Sequence, residues 1–275
     1  MRSFRGVGKR KTYFEGWYLK HSCEKGMIAF IPSFHLDDQG KASSSLQVIT
    51  SQGVGGQIFP SGQFQGDSQC FRVQIGVNQF STQGINVDVQ TEKIAVCGQL
   101  RYESFTVPRS DLMGPFRFVP WMQCHHGVLS LTHGLQGTLL VNGCRWDFAD
   151  GRGYIEKDWG CSFPRAYFWT QVHWFDRQPG SLMLSIADIP FLGGYFTGCL
   201  GAIWYGGREY RLATYKGAKI RCYSPHQVEV EQGCYRLQVE LLSQYGFDLQ
   251  APKMGAMSRI IRENPCGKAR YRFYE

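Results

Sequence analysis

Apolar residues recur at every second position in several runs of this chain: Phe71, Val73, Ile75 and Val77; Ile85, Val87 and Val89; Val228 and Val230; Tyr235, Leu237, Val239 and Leu241. Successive side chains of a strand point to opposite faces, so each run offers one apolar face to a core, and half-buried antiparallel strands fit the pattern. Two hairpins can be placed directly. Thr138–Val141 leads through Asn142-Gly143 to Arg145–Phe148, and Ala202–Tyr205 leads through Gly206-Gly207 to Glu209–Leu212. Both dipeptides supply the positive φ values of tight two-residue turns. The 33 glycines, with no Gly-X-Y period, read as turn residues of an all-β chain.

A chain of 275 residues allows one wide barrel or two ordinary domains. An internal echo favours two. Tyr13-Phe-Glu15-Gly-Trp17 is answered by Tyr154-Ile-Glu156-Lys-Asp-Trp159, and each is followed by an apolar strand, Ile28–Ile31 and Leu182–Ile186. The expectation is two related β-barrels, residues 1–150 and 151–275, with one short helix near Lys253–Arg262 that is stopped by Asn264-Pro265 and caps a barrel end. The longest charge-free stretch, Ile189 to Gly207, contains six glycines and Pro190, so it reads as two strands rather than a membrane helix.

Charge and cysteine usage exclude several classes. The net charge of +8 sits at the ends, with +5 in residues 1–11 and +4 in residues 252–275, so a basic central groove for nucleic acid is not described. Solvated tails, or basic ends that touch an anionic membrane, fit instead. The ten cysteines form no Cys-x-x-Cys pair, which leaves zinc and thioredoxin-type motifs unsupported. No apolar leader precedes Lys11, and the expectation is a cytoplasmic protein with reduced, mostly buried thiols.

The densest chemical signal is Gly151–Gly160 followed by Phe163–Gln171, where Glu156, Lys157 and Asp158 stand in a row among aromatic residues. In a strand, Glu156 and Asp158 share one face and Lys157 takes the other. Two carboxyls entering one cavity would raise the pKa of at least one and leave a protonated acid at neutral pH, as acid catalysis on an apolar substrate needs. The same residues also suit a structural joint, with Glu156 and Asp158 paired to Arg152, Lys157 or Arg165. Glu15 is a rival acid at the echoed position. His125 and His126 point to opposite faces, and His126 with Cys124 gives only two same-face ligands, so no metal site is expected.

The run Gly153-Tyr-Ile-Glu-Lys-Asp-Trp-Gly-Cys-Ser-Phe-Pro164, continuing through Tyr167-Phe-Trp-Thr-Gln171, closely resembles the signature of the tocopherol cyclase family. Tyr13–Tyr18 resembles its N-terminal signature and Leu249–Pro252 its C-terminal one. The resemblance implies two tandem lipocalin-like antiparallel barrels, kinship with carotenoid hydratases and, for plant members, cyclisation of a prenylated hydroquinone to a chromanol. Plant enzymes typically carry Asn where Asp158 stands, which favours Glu156 as the acid. Their transit segment and long second-half insertion have no counterpart here, and the chain looks like a compact bacterial member.

On this reading, protonation of a trisubstituted prenyl double bond gives a tertiary carbocation that the phenol oxygen captures, with no cofactor. Glu156 is the proton donor, Asp158 modulates it, and Glu15 is the alternative acid. Tyr13, Trp17, Trp159, Phe163 and Trp169 line the cavity and stabilise the cation. Gln171 orients the quinol oxygen, with His126 and His173 as further lining residues. Three other readings remain open: a carrier of an apolar isoprenoid-like ligand, a hydratase or isomerase in which water is the captor, and a partner-binding protein with a dead pocket.

Overall fold

The computed structural model describes residues 3–119, 122–175, 178–191, 193–243 and 246–275. Strands dominate, and among the described residues the only helical turns are three short 3₁₀ segments, so the all-β expectation holds. The chain divides into two compact units. The first takes Met1–Val107, Cys124–Phe163 and Phe247–Pro265; the second takes Pro108–Gln123, Pro164–Gly246 and Cys266–Glu275.

The first unit is a twelve-stranded antiparallel sheet: β1 (Tyr13–Cys23), β2 (Gly26–Leu36), β3 (Ala42–Thr50), β4 (Gly53–Pro60), β5 (Phe64–Gly66), β6 (Arg72–Ile75), β7 (Asn78–Ser81), β8 (Gly84–Gln90), β9 (Ala95–Tyr102), β10 (Cys124–Val141), β11 (Cys144–Asp147) and β12 (Arg152–Gly160). Its order runs β4-β3-β2-β1-β12-β10-β9-β8-β7-β6-β5, with β11 paired to β10. The two edges of that path, β4 and β5, are separated in the chain only by the 3₁₀ turn Ser61–Gln63. A sheet whose two edges lie three residues apart must curl on itself, which makes a nearly closed barrel. The alternating apolar residues fill it: Trp17, Phe30, Val48, Val73, Ile85, Leu139 and Ile155 belong to one core. Val77 does not join them; it follows Gly76 in the β6–β7 turn and is exposed.

The second unit holds β13 (Tyr167–Phe175), β14 (Gln178–Phe191), β15 (Gly194–Tyr205) and β16 (Arg208–Ala213) in one four-stranded sheet. A second sheet is built from β17 (Lys219–Tyr223), β18 (Gln227–Gln232), β19 (Tyr235–Leu241) and, after the hairpin β20 (Phe247–Lys253) and β21 (Ala256–Glu263) of the first unit, β22 (Ala269–Tyr274). Leu182, Leu184 and Ile203 of one sheet pack with Val230, Leu237 and Val239 of the other in a single core.

The expected hairpin turns form as the turn residues dictate. Asn142 and Gly143 take φ of 49° and 78° between β10 and β11, and Gly206 and Gly207 take 57° and 73° between β15 and β16. The charge-free stretch is two strands, and no helix among the described residues is long and apolar enough to cross a membrane.

Four expectations are corrected. The helix expected at 253–262 is the β20–β21 hairpin, because Met254 and Gly255, at φ 51° and 81°, make a two-residue turn that a helix does not contain. The joint expected at residue 150 falls inside the first unit. The echoed motifs are not equivalent strands of two barrels; β1 and β12 are neighbours that pair with Tyr18 opposite Glu156 and Trp17 opposite Lys157. β12 also pairs with β10, so removing it would open the first sheet. Finally, Cys199 alone among the ten cysteines is buried, and none is bridged.

Candidate acid site on the outer face of the first barrel

Three adjacent strands, β1, β12 and β10, set the geometry. Alternation sends Tyr154, Glu156 and Asp158 of β12 to one face and Ile155, Lys157 and Trp159 to the other. Ile155 belongs to the barrel core, so the Lys157 face is the inner one. Register then assembles two distinct clusters from residues that the sequence places side by side.

On the inner face, Glu15 and Lys157 are fully buried and form an ion pair. Glu15 also accepts the Tyr13 hydroxyl at 2.6 Å and, on its two oxygens, the backbone N–H of Arg5 at 3.1 and 2.9 Å. Lys157 donates to the Ser3 carbonyl at 2.6 Å. Its ammonium lies 5.2 Å from the Trp17 ring and 5.0 Å from that of Trp159, while Arg5 sits 4.7 Å over Trp159. Burial lowers the Lys157 pKa and Glu15 opposes that shift. Burial, reinforced by the Glu15 charge, pushes the Tyr13 phenol well above its usual range. Glu15 and Lys157 thus close a hydrogen-bonded ion pair among aromatic rings on the inner face.

On the outer face, Glu156 is buried at 5% exposure and pairs in register with Tyr18 on β1 and Val128 on β10. The Tyr154 hydroxyl donates to Glu156 Oε2 at 2.5 Å. Asp158 lies opposite His126, whose Nδ1 is 2.8 Å from Asp158 Oδ1 while Nε2 is 3.7 Å from Glu156 Oε2. The hairpin β20–β21 packs on this side of the sheet. Gln47, whose neighbours Leu46 and Val48 face the core, exchanges hydrogen bonds of 3.0 and 3.1 Å with the backbone of Gln250.

That hairpin brings Glu263 to the cluster. Loss of water, and then the charge of Glu156, push the Glu263 pKa up to about 7, with Lys20 opposing and Asp158 adding to the shift. Burial and the same two glutamates hold the Tyr18 phenol well above its usual range. The outer face therefore gathers three carboxyls, an imidazole and two phenols, and one of those carboxyls keeps its hydrogen near neutral pH.

The site residues expected from the sequence fall into three places. Glu156, Asp158 and His126 come together. Tyr13, Glu15, Trp17 and Trp159 come together on the opposite face of the same strands, so Trp17 and Trp159 do not share a face with Glu156. The aromatic groups on the Glu156 side are instead Tyr18, Tyr154 and Phe14, and Phe163 packs edge-on against Phe14 with ring centroids 5.4 Å apart. Trp169, Gln171 and His173 lie on β13 of the second unit, where Gln171 and His173 are buried.

Glu263 was missed, because its segment reads as the end of a helix; so were Tyr18, Lys20 and Tyr154 as members of the site. The register between β1 and β12 is what reveals them. His126, Glu156 and Asp158 also offer metal-type donor atoms within 4.8 Å of one another. The expectation of no metal site considered β10 alone, and β12 adds two ligands to it. In this structure His126 and Asp158 are joined by the 2.8 Å hydrogen bond and Glu156 is engaged by Tyr154, the pattern of a proton network.

The nearly closed antiparallel barrel defines an all-β protein of lipocalin-like fold, with a cluster of carboxyls on the outer face of its first unit. The comparisons make the class specific. Residues 101–275 match the family described as tocopherol cyclase-like, and the chain belongs to it. A rice (Oryza sativa subsp. japonica) protein named "Probable tocopherol cyclase, chloroplastic" is 28% identical over 150 residues, covering 52% of this chain and 31% of its own length. The tocopherol cyclase of maize (Zea mays) chloroplasts is 24% identical over 177 residues, 62% of this chain and 34% of its own. The matches thus span about a third of these curated relatives. Among solved structures, a protein assigned as AttH from Nitrosomonas europaea superposes with a TM-score of 0.53 at 9% identity, covering 94% of this chain and 92% of the other. That likeness concerns the fold alone.

Proposed function

We propose that this chain is an acid catalyst of the tocopherol cyclase type, closing a ring on a prenylated quinol or a related isoprenoid through a carbocation. The observation that carries the reading is the outer-face cluster, in which Glu156 and Glu263 share a water-poor site and Glu263 is raised to about 7. Acid catalysis at neutral pH requires a carboxyl that is still protonated there and near enough to the operating pH to give its proton up. Membership of the family supports this reaction class, and the names of the plant relatives support this substrate class.

In this mechanism the proton held on the Glu263–Glu156 pair passes through Glu156 to the CH carbon of the trisubstituted prenyl double bond nearest the ring. The tertiary cation that results is captured by the phenol oxygen, and the phenolic proton returns to the carboxylate cluster, so the product has the mass of the substrate. Each side chain has a part. Tyr154, already donating to Glu156 at 2.5 Å, stabilises the carboxylate formed as the proton leaves. Asp158 holds His126 with Nδ1–H toward itself and leaves Nε2, 3.7 Å from Glu156, to relay the returning proton. Tyr18 and Tyr154 offer aromatic surface to the cation.

The test is Glu156→Gln, assayed with a prenylated hydroquinone and chromanol detection by mass spectrometry. The expected result is a loss of about 10²–10⁴-fold in turnover with thermal stability retained. Unchanged turnover in the folded variant would remove Glu156 from the reaction, and a product heavier by one water would assign hydration instead of ring closure.

A further inference from the structure

The second unit carries a small basic pocket that plays no part in the acid site. A cavity of about 260 Å³ is lined by residues of β16, β18 and β19, of the 3₁₀ turn Thr214–Lys216 and of the segment 109–110. Three cations face it, Arg109, Arg211 and Lys216, against one carboxylate, Glu209.

That carboxylate is already committed. Glu209 Oε2 accepts the backbone N–H of Arg109 at 2.7 Å, and Oε1 accepts the Arg211 guanidinium at 2.5 Å. Arg211, with a side chain only 7% exposed, is fixed from every other side as well. Its terminal N–H groups donate to the carbonyls of Ser110 and Asp111, each at 3.1 Å, and to the Tyr215 hydroxyl at 3.3 Å. Gln232 stiffens the wall behind it, donating to the Arg211 carbonyl at 2.8 Å and accepting the Ala213 N–H at 2.9 Å.

Two features remain unanswered by protein groups. Arg211 Nε is buried with no acceptor, whereas more than nine in ten buried donors find one. The exposed Arg109 and Lys216 side chains have no carboxylate partner among the described residues, and Glu275, which accepts the Tyr210 hydroxyl at 3.1 Å, is paired with Arg208. Tyr210 and Tyr235 stand edge-on beside them, ring centroids 5.7 Å apart.

We propose that this pocket binds a small oxyanion, presented either as a phosphoryl group or as a carboxylate. Glu209 neutralises Arg211 and positions the segment that carries Arg109, which leaves Arg109 and Lys216 to set the sign of the ligand. A prebuilt pocket of this size loses little freedom on filling and admits a phosphate or a short carboxylic acid.

Isothermal titration of the whole chain with inorganic phosphate, pyrophosphate and succinate tests the assignment. Saturable one-to-one binding of at least one of the three is expected. Binding weakens at least tenfold in the double variant Arg109→Ala/Lys216→Ala, both exposed positions, and falls with added salt. Binding of phosphate or pyrophosphate but not succinate assigns a phosphoryl ligand, and the reverse assigns a carboxylate. No saturable binding by any of the three, or undiminished affinity in a double variant that melts like the parent, overturns the proposal.

Discussion

Two faces of the same three strands give their buried glutamates opposite neighbours. Inside the barrel, Glu15 is surrounded by the Lys157 ammonium, the Tyr13 hydroxyl and the Arg5 N–H. Outside it, under β20–β21, Glu156 meets another carboxyl, Glu263, whose pKa loss of water and the charge of Glu156 push up to about 7. Glu15 and Glu156 are both buried, so burial alone does not distinguish the two faces. The sign of the neighbours decides, and the strand parity of a single residue step sets those neighbours.

The largest effect that separates the faces is on turnover: Glu156→Gln costs about 10²–10⁴-fold in a steady-state assay, while the paired inner change Glu15→Leu/Lys157→Met costs less than about tenfold. If the inner pair proves as costly to turnover in a folded variant, the roles of the faces are reversed. Next in size is stability. Glu15→Ala leaves the Lys157 ammonium buried without its counter-charge and is expected to destabilise by about 3–5 kcal/mol in urea unfolding. The paired change restores most of that, because an apolar pair of similar volume needs no charge balance.

Smaller again is a pH effect of the outer face. Glu263 binds its proton more tightly folded, at about 7, than unfolded, near the ordinary 4.5. The stability this group contributes is present at low pH and is lost as pH rises through about 7. Glu263→Gln is therefore expected to raise stability by about 1–3 kcal/mol at pH 8 and by almost nothing at pH 4, read from melts at the two pH values. A variant equally stabilised at both would show that the proton is not shared at this site. The smallest effect is that of chelation: treatment with a chelator leaves turnover and melting temperature unchanged, whereas loss of either would reassign His126, Glu156 and Asp158 as metal ligands.

How much of this was legible in the sequence follows from the range of the interactions. Period-two runs such as Ile85, Val87 and Val89 report a local property, and all three enter the core of the first barrel. The Asn142-Gly143 and Gly206-Gly207 turns are equally local. The echo of Tyr13–Trp17 in Tyr154–Trp159 was visible, but its meaning depended on pairing: β1 and β12 are partners in one sheet, not counterparts in two. The separation of Trp159 from Glu156 was available from parity, since positions three apart in a strand face opposite ways. Glu263 was not available. It reaches the site only because the Met254-Gly255 turn folds β21 back onto β20.

The most direct measurement of the central claim is infrared difference spectroscopy of the protonated carboxyl band, titrated from about pH 5 to about pH 9 in the parent protein and in Glu156→Gln and Glu263→Gln. The account predicts a protonated carboxyl that titrates at about 7 in the parent, and a titration shifted or abolished in both variants. A parent protein with no carboxyl left to titrate above about pH 5.5, or a band untouched by either substitution, would contradict it.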